Sequence, residues 1–337
     1  MALTVLDNSR TNATFDWATT ISVFDPFFDY ALRNAIINLI AVLTNSSVIL
    51  IVIKVEAINK RKKVLSIGLK ASALFASLAP LVLNCFYFYH YFTRKEVNFM
   101  LCYIIENLGY HGQLPGLWSI FIVAGDCFFV FTLKRELPLK LLICLFILPL
   151  VYIVLIMTVE MQATNVATDE ICSLTLTSTF WVNNMTVLIW SASAFLATLC
   201  SVSVLYSVAH MKAAYTTNGK MDKRIAWAVF LQSILPALIS IPLLSLTVLT
   251  EYEIGKELPE WIYWLSNASV FMYFAVSPII SLIVIKQYRM ATKQFLIRLL
   301  RKAGFFVKPK KKMFAVSVSK IPKPNEHLKV ADASRIE

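Results

Sequence analysis

Glu106, Tyr110 and Gln113 stand at i, i+4 and i+7, a spacing that puts three polar side chains on one face of a helix. In an apolar wall, Tyr110 and Gln113 could hydrogen-bond a small polar group on an otherwise apolar ligand. Trp264 and Asn267, three residues apart, could close the opposite side. A few placed polar groups in an apolar lining are what small-molecule sites usually contain. Bond-breaking chemistry has no comparable support. The chain carries no HExxH or GxSxG motif and no paired aspartates within its apolar runs. Lys70, Glu106, His111 and Asp126, with His90 and His210 near the ends of runs, are scattered and do not converge. Six cysteines stand singly, without CxxC or His/Cys spacing for a metal. The expectation is no enzyme, no cofactor and no metal centre.

The elements that would hold these residues are long apolar segments. Of 337 residues 58% are apolar and 15% charged, against about 45–50% and about 25% in soluble domains. A helix needs about 20 apolar residues to cross a bilayer. Runs of that size recur seven times, which predicts spans near 31–54, 64–93, 102–131, 139–159, 183–210, 225–250 and 261–285. Residues 1–30 read as an extracellular N-terminus without a signal peptide, and 286–337 as a cytoplasmic tail. With the N-terminus outside, the inner segments hold five (54–63), three (134–140), four (212–224) and fourteen (286–337) Lys or Arg, against five outside. That bias sets orientation. The net charge of +12 is then juxtamembrane charge facing anionic lipid, not a nucleic-acid footprint. Aromatic and aliphatic residues alternate with Arg and Lys after Tyr288, which predicts a basic amphipathic helix over about 288–303.

Several positions resemble G-protein-coupled receptors. Cys102 opens the third span and Cys172 lies in the second outer loop. Asp126 follows Cys102 by 24 residues, the place of the acid in the family's Asp-Arg-Tyr motif, but here the motif reads Asp126-Cys127-Phe128. Asn45 is similar to the first-span asparagine, and Ser77 stands where many such receptors have an aspartate that binds sodium. The seventh-span motif has become Ser277-Pro278-Ile279-Ile280-Ser281. Gln232 through Pro236, with Pro242 six residues on, and Lys286-Gln287-Tyr288-Arg289 after Pro278 resemble nematode serpentine chemoreceptors of the Str superfamily. The resemblance covers about residues 31–300.

It implies an all-α seven-helix bundle in the plasma membrane, that of a sensory cilium included, that binds an odorant-like small molecule and activates a heterotrimeric G protein. It also implies a Cys102–Cys172 disulfide, since both cysteines lie on the oxidising side, and a part for Asn45, Asp126, Gln232, Pro236, Pro278, Tyr288 and Arg289 in switching or packing. Plainer readings stand beside these. Gln232 can serve helix packing alone, Asp126 can be solvated or paired with a Lys or Arg, and Glu106 can be a solvated residue at the membrane edge. Trp264 belongs equally to an interfacial aromatic belt. Sequons at Asn12 and Asn184 predict outer-face glycosylation. The rival architecture is a seven-span ligand-gated channel or carrier, although spans 1–3 and 5–7 share no repeat of the kind carriers often show.

Overall fold

The computed structural model describes residues 20–23, 27–54, 60–161, 166–167, 175–176, 180–210, 217–251, 260–285, 288–290, 292–294 and 297. In chain order the elements are β1 (Thr20–Ile21), α1 (Phe28–Lys54), α2 (Lys60–Thr93), β2 (Val97–Asn98), α3 (Phe99–His111), α4 (Leu114–Phe131), α5 (Leu139–Glu160), β3 (Val166–Ala167), β4 (Thr175–Leu176), α6 (Phe180–His210), α7 (Thr217–Glu251) and α8 (Glu260–Val284). Among the described residues six segments are long and apolar enough to cross a membrane, with α3 and α4 together forming one of them. A seventh is Ala268–Val284 taken with Tyr288–Gln294, across a bend of 93°. Residues 1–293 form one compact unit and 294–337 a second, of which little is described.

Helices dominate because a segment in hydrocarbon must satisfy its backbone internally. Their faces are sorted in the sense lipid demands. On α1 the buried stripe is Ala31, Asn34, Asn38, Ala41, Asn45, Val48 and Val52, small or polar for the most part, while Ile36, Leu39, Ile40, Leu43 and Leu50 face outward. Lipid tails are as apolar as leucine, so helices associate through close packing and hydrogen bonds rather than apolar burial. α1 lies along α2 and α8, α4 packs on α2 and α6, and α7 lies against α6 and α8. α5 is the most peripheral of the six long spans, with 17% of its apolar window buried. Gly116 permits a close approach between helices: a Cβ there would come within 2.4 Å of the Phe274 ring and 2.9 Å of Ala76.

The third span is not one continuous helix. α3 ends at His111 and α4 begins at Leu114, with Gly112 and Gln113 in the turn between them. Pro115 has no N–H to offer the carbonyl four residues back, and its ring crowds that carbonyl. Gly112 still donates to Leu108 O at 2.9 Å, whereas Gln113 reaches only Tyr110 O, at 3.5 Å. The bend takes Gln113 out of the regular i, i+4, i+7 face that the sequence spacing implies.

At the end of the bundle where the N-terminal segment enters, β1 pairs antiparallel with β2, Thr20 opposite Asn98 and Ile21 opposite Val97. Thr20 donates to Glu96 at 2.6 Å. Ile21, Phe27, Tyr87, Val97, Phe99, Cys102 and Tyr103 are buried together beneath this ladder, and Asn98 caps α3 by accepting from Leu101 N at 3.2 Å. A second short ladder joins β3 to β4.

Candidate functional site

Proline chemistry explains part of the interior. Pro278 cannot donate to Phe274 O, the carbonyl four residues back in α8. Asn45 of α1 fills that vacancy: its Nδ2 donates to Phe274 O at 2.9 Å and to Ala41 O at 2.8 Å. The same device recurs at Pro149 in α5. It releases Leu145 O, which accepts the indole N–H of Trp118 from α4 at 3.1 Å. Each such bond fastens a proline-weakened helix to its neighbour.

Ser277, next to Pro278, is the centre of a buried polar group. Lys70 of α2 donates to its hydroxyl at 3.1 Å. Gln232 of α7 donates to its carbonyl at 2.9 Å and to the Ser281 hydroxyl at 2.6 Å. Lys70, Gln232, Ser277 and Ser281 are all buried, so three helices meet through buried polar contacts. Two further bonds tie α6 to α7, Thr198 to Ser233 O and Ser233 to Ser201, both at 2.9 Å.

At the end of the bundle that gathers Lys60 to Lys63 and Lys134 to Lys140, Asp126 is buried and ion-paired with Arg61 from the start of α2. Arg61 grips both carboxylate oxygens: Nη2 bonds Oδ1, and Nε bonds Oδ2 at 3.3 Å. Its Nη1 donates to Leu137 O at 2.7 Å and lies 3.5 Å from Glu136. One guanidinium therefore joins the start of α2, the end of α4 and the segment leading into α5, a fork geometry that suits carboxylates. Tyr288, just past α8, is buried against Val48 and Val52 and shares a hydrogen bond with Ser66. Arg289 is exposed, with Nη1 at 3.4 Å from Ile283 O.

Between α4, α6, α7 and α8 lies a small cavity of about 10 Å³, lined by Leu117, Trp190, Pro236, Ile239, Ser240, Val270 and Tyr273. Trp190 is buried, and its indole N–H has no acceptor among the described residues. A buried donor left unmatched costs about 1–3 kcal/mol. Tyr110 stacks at a tilt on Trp190, with ring centroids 5.4 Å apart, so it borders the wall of this cavity.

Of the site residues drawn from sequence, Tyr110 is thus beside the cavity, Gln113 is buried in the α3–α4 turn and Glu106 is half-buried in α3. Trp264 and Asn267 fall in α8, with side chains outside the described set. Pro236 lines the cavity. Cys102 is buried, and Cys172 is outside the described residues, as is Asn12; the side chain of Asn184, in the first turns of α6, is also outside them. Cys85, Cys127, Cys144 and Cys200 are free. Sequence reasoning missed Arg61, one of four consecutive basic residues, and Trp190, one aromatic in an apolar run. A loop basic cluster beside an arginine-less Asp126 was the available signal for the first; nothing marked the second.

No family model matches the chain, and no curated protein does. Among solved structures it is similar to squid rhodopsin, with a TM-score of 0.64 and 14% identity, over 89% of this chain and 95% of that one. The chain is a multi-pass membrane protein of rhodopsin-like fold.

Proposed function

We propose that the protein is a G-protein-coupled chemosensory receptor of the nematode serpentine type, in the plasma membrane with its N-terminus outside. The observation that carries the reading is the rhodopsin-like fold over 89% of the chain. A small molecule enters the outer half of the bundle, beside Tyr110 and Gln113, and shifts the helices only as far as its affinity differs between two packings. The segments at 54–63, 134–140 and 212–224 and the basic stretch after Tyr288 face the G protein and anionic lipid. Cys172 is the partner of Cys102, and Asn12 and Asn184 carry glycans.

The test is a panel of volatile compounds applied to cells expressing the protein. The expected result is a response abolished by blocking guanine-nucleotide exchange. Currents or uptake that survive the block would replace the reading with a channel or carrier.

A further inference from the structure

The cavity between α4, α6, α7 and α8 is too small for an organic molecule and large enough for a water. Its volume is about 10 Å³, at the lower end of the roughly 10–15 Å³ that one water requires. Size alone does not wet a cavity, because voids lined only by apolar groups stay dry. This wall is of another kind. The Trp190 indole N–H of α6 and the Tyr273 hydroxyl of α8 both belong to residues that line it. Both are buried, and neither has a hydrogen-bond partner among the described residues. Ser240 of α7 lines the cavity too. Its hydroxyl donates to Pro236 O at 2.7 Å, which leaves the oxygen its lone pairs to accept with. The ring of Tyr110, 5.4 Å from that of Trp190, restricts the tilt of the indole.

We infer that the cavity is the site of one structural water, bonded to Trp190, Tyr273 and Ser240, that fastens α6, α7 and α8 to one another. An indole nitrogen donates and cannot accept, so Trp190 gives its proton to the water oxygen. Tyr273 donates to the same oxygen, and the water donates in turn to Ser240 Oγ. That makes three bonds, the usual number for a buried water. Two buried groups are thereby relieved of the penalty for standing unmatched. An ion does not fit the same wall: none of the seven lining residues carries a formal charge, and a buried charge needs a partner. Such a water belongs to the packed bundle whether or not the protein signals.

The experiment uses the full chain, purified in lipid nanodiscs. A brief X-ray pulse splits water into hydroxyl radicals, which oxidise the side chains beside each water, and mass spectrometry identifies the modified residues. Tyr273 is expected to be oxidised several-fold faster than Tyr87, an equally buried tyrosine in the separate cluster under the β1–β2 ladder, and Trp190 is expected to be oxidised with it. Val270→Ile adds one methyl group at the cavity wall; it should suppress both modifications while the protein still melts cooperatively. Trp190→Phe and Tyr273→Phe each remove one partner of the same water. Their effects on the unfolding constant should therefore be non-additive by at least about threefold. Tyr273 oxidised no faster than Tyr87, or oxidised equally in Val270→Ile, overturns the inference, as do strictly additive variants. Non-additivity without oxidation overturns it as well, because it would mean a direct bond between Trp190 and Tyr273 in place of the water.

Discussion

Arg61 supplies the cation that Asp126-Cys127-Phe128 lacks in its own helix. In the resembling receptors the acid has an arginine as next neighbour; here the guanidinium comes from another helix and, through Leu137 O, holds a third segment as well. The pair thus spans the end proposed to meet the G protein, and any outward movement of α4 relative to α2 has to break it. Removing one partner from a buried pair leaves an uncompensated charge and costs about 3 kcal/mol or more. Arg61→Ala is therefore expected to lower the melting midpoint and raise ligand-free nucleotide exchange by roughly fivefold, the low end of usual coupling free energies. The exchange Arg61→Asp with Asp126→Arg should recover much of both losses. Basal exchange in Arg61→Ala equal to wild type would confine the pair to a packing role.

Asn45 shows how an element's weak point becomes a contact between elements. Its amide takes the carbonyl that Pro278 abandons, so the two residues form one unit across α1 and α8. Asn45→Ala should cost about 1–3 kcal/mol, because Phe274 O is left buried and unmatched. Pro278→Ala restores an N–H to that carbonyl, so the double variant should be clearly less damaged than the sum of the two singles, by at least about 0.5 kcal/mol. Melting of the four proteins in detergent closes the cycle, and strict additivity would mean that the bond carries no stability. The long helices were legible in sequence, since a run without charge over some twenty residues has few other fates in lipid. The bend at Gly112 was legible only as crowding of Gly109, Gly112, Pro115 and Gly116; reading Tyr110 and Gln113 as one regular face overlooked what Pro115 removes. Lys70 stood out as the charge near the start of its span, but its partner Ser277 lies 207 residues away, and no local pattern announces such a pairing. β1 and β2 were missed because two-residue ladders lack any alternation to read.

At the scale of the whole molecule, charge rather than apolarity gives the bundle its sense. Apolar surface points outward all around the helices, with Leu43, Phe92, Val154, Leu199 and Ile283 each more than half exposed, so it marks no end as inner or outer. The Lys and Arg residues do: 54–63, 134–140 and 212–224 follow alternate spans, and 286–337 adds fourteen more, placing the Arg61–Asp126 pair on the crowded side. If this side is cytoplasmic, an epitope at the N-terminus should bind antibody on intact cells, while one after Glu337 should bind only after permeabilisation. Asn12→Gln should also remove a glycosidase-sensitive increment of mass. Reversed labelling would put Arg61 and Asp126 on the outer surface and end the G-protein assignment.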